Sequence, residues 1–156
     1  MAEALDASYW LTGPAEEDYA DDLARILETA QCPVYRAGPG VDDMHLAYAA
    51  ADAVVFPSTW EGFGLPVIEA AFARRPIAVG AYPVATELWQ AGLRWFPADD
   101  PQPLRAWLAA PDHDVLARNY AVAAWHFSIE AVVEQLAALV RSPSQEPAHA
   151  VSGARV

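Results

Sequence analysis

The chain of 156 residues is long enough for one domain with a core of its own, and a composition that is 54% hydrophobic and 19% charged is globular, not disordered. A formal net charge of −12, with all nine basic residues arginine and no lysine, excludes the basic patch that nucleic acid or an anionic lipid surface needs. No apolar run reaches the roughly 18–20 residues of a membrane span, the N-terminus lacks the features of a signal peptide, and the lone Cys32 can form no internal disulfide, so a reducing, cytoplasmic setting is expected.

In chain order, residues 9–12 read as a short buried strand ending at Gly13-Pro14. Residues 16–30 have helical spacing, with Leu23, Ile26 and Leu27 on one face. Residues 33–37 form a second strand closed by Gly38-Pro39-Gly40, and Asp42 or Asp43 can cap a helix running to about Ala50. A third strand, 53–56, stops at Pro57, and a helix opens at Leu65-Pro66, where proline is favoured. Arg74-Arg75 falls at the end of that helix, placed to complement its dipole. A fourth strand (76–80), a short helix (84–91) and a fifth strand (94–96) follow. Three helices complete the chain, over 103–109, 114–126 and 128–141, with Ser128 as an N-cap. Short apolar strands alternating with helices predict an α/β fold, a Rossmann-like, doubly wound parallel sheet, in one domain over residues 1–141. The Pro-, Ser- and Ala-rich segment 142–156 is expected to be a disordered tail.

The chemistry concentrates in Ser58-Thr-Trp-Glu-Gly-Phe-Gly-Leu-Pro-Val-Ile-Glu-Ala70, where Glu61 and Glu69 stand eight positions apart. In a doubly wound sheet ligands bind beyond the carboxyl ends of the strands, so the loop 57–65 lies at the ligand edge. Gly62 and Gly64 permit positive φ and a close approach of backbone to a ligand. The unpaired N–H groups opening the next helix suit a phosphate. Carboxylates flanking such a cradle accept hydrogen bonds from hydroxyls, which together describe a nucleotide sugar. The spacing by itself is weak, because the chain holds 21 acidic residues.

Residues 57–70 resemble the E-x7-E signature of retaining GT-B glycosyltransferases of the glycogen-synthase-like and sucrose-synthase-like group, commonly classed as family 4. The resemblance runs from about Tyr9 to Phe96 and includes Leu46-Ala-Tyr-Ala-Ala-Ala-Asp-Ala-Val-Val-Phe-Pro57 and Arg75-Pro-Ile-Ala-Val-Gly80. It implies a donor-binding C-terminal Rossmann-like domain, half of a GT-B fold. It further implies that Glu61, the catalytic candidate, contacts donor-sugar hydroxyls, that Glu69 contacts the ribose, and that the amides of Phe63, Gly64 and Leu65, beside Gly62, hold the distal phosphate. Arg36 and Gly38 would lie near the base, and no metal or other cofactor is expected.

The chain departs from that family in length, which is about half that of a two-domain enzyme, and in its start. The family's donor domain opens with a strand ending in Gly-Arg and followed closely by Lys, whereas this chain begins at the next strand and has no lysine. In the strand order 3-2-1-4-5-6 the missing strand is central, so the first two strands lose their neighbour toward residues 53–56. The expected partners are therefore a nucleotide sugar and either a separate N-terminal half, as in the two-chain N-acetylglucosaminyltransferase of N-glycan assembly, or a second copy of this chain. The alternatives are a non-catalytic donor-binding or regulatory module, a truncated fragment, and, more weakly, a sugar-nucleotide epimerase.

Other candidates read as structural. Asp112-His-Asp114 matches the metal-binding D-x-D of another glycosyltransferase class but is better placed as a helix N-cap. His45, His113, His126 and His149 show no metal-ligand spacing. Ser58 and Thr59 shape the loop, and Trp60 either stacks on the donor or packs. Trp89, Trp95, Trp107 and Trp125 serve the core or an interface.

Overall fold

The computed structural model describes residues 1–13, 17–36 and 43–141; Gly38, Asp42 and the segment 142–156 lie outside the described residues. The elements follow in the order α1 (Ala2–Leu5), β1 (Tyr9–Leu11), a 3-10 turn (Glu17–Tyr19), α2 (Ala20–Thr29), β2 (Val34–Arg36), α3 (Met44–Ala50), β3 (Val54–Phe56), α4 (Leu65–Phe72), β4 (Ile77–Val79), α5 (Ala85–Gln90), β5 (Phe96–Pro97), α6 (Gln102–Ala109), α7 (His113–Phe127) and α8 (Ile129–Arg141). Every strand pairing is parallel, as an α/β fold built from strand–helix–strand units requires. The Rossmann-like half domain is therefore present, with α1 as an unanticipated addition.

The strands do not form one sheet. β1 pairs with β2, with Trp10 opposite Tyr35, while β3, β4 and β5 form a separate three-stranded sheet with β4 in the middle. β1 does not close up on β3 among the described residues. Packing explains why: the core cluster is drawn wholly from residues between Tyr48 and Ala123, in the three-stranded sheet, α3, α4, α5 and α7. β1, β2 and α2 contribute no fully buried side chain, and Trp10, Tyr35 and Ile26 are more than half exposed. Ile26 thus does not share the half-buried face of Leu23 and Leu27.

Local chemistry sets the element ends. Asp43 caps α3 by accepting from the His45 amide at 2.9 Å, and Asp112 caps α7 by accepting from the Asp114 amide at 2.9 Å. Ser128 Oγ accepts from the Ala131 amide at 3.2 Å, opening α8. Arg74 and Arg75 do not serve the α4 dipole. The helix ends at Phe72, Arg74 takes a left-handed φ of 53°, and the bonds Arg74 N to Ala71 O and Arg75 N to Ala70 O close a Schellman motif. A left-handed arginine costs about 1 kcal/mol, and its guanidinium lies 4.1 Å from the centre of the Tyr120 ring, which offsets part of that cost. Arg75 donates instead to the Ala49 carbonyl at 2.6 Å.

The fifth strand begins two residues later than its apolar pattern suggests. The buried Asn119 accepts from the Arg94 amide at 2.9 Å and donates to the Arg94 carbonyl at 2.7 Å, so one side chain takes the place of a strand neighbour. Asn119→Ala strands both backbone groups and is expected to lower stability by about 2–4 kcal/mol, measured by urea unfolding.

α8 presents an apolar face that nothing described covers: Ile129, Val133, Leu136, Leu139 and Val140 are all more than half exposed. No helix among the described residues is long and apolar enough to cross a membrane.

Candidate donor-binding site

β3 delivers the chain to the loop at Phe56, and β4 delivers it to a second loop at Val79. The two exits are pressed together. The Gly80 amide donates to the Phe56 carbonyl at 2.8 Å, and a Cβ at Gly80 would collide with the backbone carbonyls of Ser58 and Pro57. This contact carries Tyr82 beneath the first loop, where it is 5% exposed, its ring edge-on to Phe56 with centroids 6.0 Å apart. Ser58 shapes the loop as expected, its Oγ donating to the Trp60 carbonyl at 3.0 Å. Trp60 is 80% exposed and does not pack.

Gly64 is the pivot of the loop. It is the N-cap of α4, it is buried, and its φ of 90° is one that side-chain-bearing residues rarely adopt. A Cβ there would overlap the Tyr82 hydroxyl, so the position excludes side chains on two counts. Gly62 does not use its expected freedom: it has no positive φ and faces open space. The amides of Phe63, Gly64 and Leu65 donate no hydrogen bond among the described residues, while the Gly64 carbonyl accepts from Val67 to start the helix. Three N–H groups therefore stand free at the positive end of a helix dipole, the arrangement that binds an anion. Phe63 meets Phe127 edge-on at 5.9 Å, which ties the loop to the end of α7.

Glu69 lies on the exposed side of α4, and its Oε2 accepts from the Tyr48 hydroxyl at 2.7 Å. Tyr48, on α3, is itself buried, and burial together with the bonded Glu69 carboxylate pushes its phenol far above the ordinary tyrosine range. It remains a neutral donor at any physiological pH, leaving Glu69 three lone-pair sites for hydroxyls of a ligand. Glu61 is half-buried and accepts no hydrogen bond among the described residues. The Tyr82 phenol is raised by burial first and then by the Glu61 charge.

The structure thus gathers Glu61, Gly62, Phe63, Gly64, Leu65 and Glu69 on one strand–loop–helix unit. Arg36 is not brought there: it ends β2 in the other sheet, exposed, with no hydrogen bond to the loop among the described residues. Gly38 lies outside the described residues. Tyr48 and Tyr82 are the site residues that sequence reasoning missed. The available signal was a phenol at core positions, which implies a partner for the hydroxyl. An open concavity of about 750 Å³ adjoins the site at the ends of β4 and β5, lined by Gly80, Tyr82, Pro83, Thr86, Trp89 and Trp95 among others, and includes neither glutamate.

Residues 1–111 match the family of glycosyl transferases group 1. The chain belongs to that family. It is 32% identical over 104 residues to the serotype-specific mannosyltransferase WbdA of Escherichia coli, a match covering 63% of this chain and 13% of the relative. It is 33% identical over 86 residues to the O-antigen chain mannosyltransferase RfbU of Salmonella typhimurium, covering 53% of this chain and 24% of the relative. The matched part of each relative is thus under a quarter of its length.

Gly64→Ala combines a strained φ with the clash against Tyr82 and is expected to cost about 1–3 kcal/mol, read by thermal or urea unfolding. Tyr48→Phe removes only the bond to Glu69 and is expected to cost about 1 kcal/mol. An unchanged Tyr48→Phe stability would mean that the 2.7 Å contact is not maintained in solution.

Proposed function

We propose that this chain is the donor-binding part of a glycosyltransferase, taking a nucleoside diphosphate sugar and supporting hexosyl transfer with retention of anomeric configuration. The observation that carries the reading is the Gly64 turn, with three unpaired amides at the start of α4 and a carboxylate on either side. The amides of Phe63, Gly64 and Leu65 bind the distal phosphate. Glu69, held by Tyr48, accepts from the ribose hydroxyls, and Glu61 accepts from the donor sugar, where its charge can stabilise positive charge developing at the anomeric carbon. Arg36, at the end of β2 and apart from this loop, is assigned to the base-binding side on the family resemblance alone. The mannosyltransferase names of the relatives make a mannosyl unit the first donor sugar to test.

The acceptor side is supplied by further polypeptide, either a separate N-terminal half or a second copy. The exposed apolar face of α8, together with Trp125 at 77% exposure on α7, supports such a partner. The domain extends over residues 1–141, and the single thiol of Cys32 suits a cytoplasmic setting.

Calorimetric titration of the chain with ADP, GDP, UDP and their sugar conjugates tests the reading. At least one is expected to bind, and Glu69→Ala is expected to weaken it about tenfold, the loss of one or two hydrogen bonds to a charged group. A folded chain that binds none of them contradicts it.

A further inference from the structure

Among the described residues, two buried side-chain polar atoms have no hydrogen-bond partner, Arg75 Nε and Tyr82 Oη. Arg75 has another nitrogen bonded to Ala49, so its guanidinium is partly satisfied. Tyr82 has a single polar atom, and it is orphaned. A phenylalanine would fill the same space against Phe56 without an unpaired hydroxyl, so packing alone does not account for a tyrosine.

The direction of that hydroxyl is informative. It lies against Gly64 so closely that no Cβ fits between them, and Gly64 is the N-cap whose neighbouring amides are themselves unpaired. A buried, unpartnered O–H and the turn that carries three free N–H groups, from two different loops, thus meet at the start of α4. Each of these groups can donate and none of them does so among the described residues, and an anion supplies the acceptor they lack. The nearby Glu61 is charged like such a ligand and does not accept from Tyr82, so it leaves the hydroxyl available. Burial keeps the phenol protonated, and therefore able to donate, well above neutral pH.

We propose that Tyr82 is a further donor-binding residue, its O–H donating to an oxygen of the distal phosphate that the Gly64 turn holds. The assignment rests on the donor-site reading above and adds to it a side-chain contact from the loop after β4. It also explains the Gly64–Tyr82 contact in functional terms. The glycine lets the phenol reach the phosphate side of the turn, and the backbone contact at Gly80 fixes the loop that carries it.

The test is calorimetric titration of wild type and Tyr82→Phe with ADP, GDP and UDP and with the matching monophosphates, alongside a thermal melt of both ligand-free proteins. The variant keeps the ring and removes an unpaired hydroxyl, so it is expected to melt at the same temperature or higher. Binding of the preferred diphosphate is expected to weaken about tenfold, with monophosphate affinity changed less than twofold. Three results overturn the proposal. Wild type and variant binding the diphosphate equally removes the role of Tyr82 and leaves the donor site standing. A lower melting temperature with equal loss of mono- and diphosphate binding makes Tyr82 a structural residue only. Wild type binding no diphosphate removes the donor-site reading itself.

Discussion

The candidate site depends on how closely two strand exits approach one another. At Gly80 the chain leaving β4 has its amide on the Phe56 carbonyl and its Cα against the backbone of Pro57 and Ser58, leaving no room for a methyl group. Because β3 and β4 are parallel neighbours, their carboxyl ends already lie side by side. The missing Cβ turns that adjacency into contact and seats Tyr82 under the turn at Gly64. Gly64 in turn sets the start of α4, which places Glu69 one turn into the helix within reach of Tyr48 on α3. Two glycines and two tyrosines thus couple three segments of chain, and the glutamates acquire their positions through them.

Electrostatics in this region is local. The chain as a whole carries −12 and would repel an anionic ligand at long range. Salt screens that repulsion beyond about 8 Å at physiological ionic strength, whereas amides at a helix start act at hydrogen-bond distance. Three arginines of the three-stranded half are occupied elsewhere: Arg74 over Tyr120, Arg75 on Ala49, and Arg94 over Trp89 with its centre 4.4 Å from the ring. No arginine donates a hydrogen bond to the loop 57–65 among the described residues, so under the proposed reading backbone dipoles and phenol hydroxyls would provide the attraction at the Gly64 turn. Such a cradle discriminates by geometry more than by charge, which suits a ligand whose sugar and ribose must also meet two carboxylates.

Features governed by neighbours in sequence were legible from the sequence. The strand–loop–helix order around residues 57–70 and the caps at Asp43, Asp112 and Ser128 all follow from local chemistry. What escaped depends on contacts across the fold. Asn119 reaches back 25 residues to take over the hydrogen bonds of Arg94 and shorten β5, and Tyr48 reaches 21 residues forward to Glu69. Arg74 looked like a dipole partner because its charge is visible in sequence, whereas its left-handed φ and its place over Tyr120 are not. Gly62 and Gly64 are alike in sequence, and only the packing of Tyr82 separates them. The separation of β1 and β2 from β3 was foreseeable from the missing central strand, but the exposure of Trp10, Tyr35 and Ile26 was not, because apolar strand and helix sequences do not show that they gain no burial against the rest of the core.

As proposed, the first turn of α4 is a phosphate cradle. The most direct measurement follows the backbone amide resonances of 15N-labelled protein as a nucleoside diphosphate is added. The amides of Phe63, Gly64 and Leu65 are expected to shift most, in the direction of stronger hydrogen bonding, with smaller changes near Tyr48 and Tyr82. Binding that leaves those three amides unmoved while perturbing another surface would contradict it.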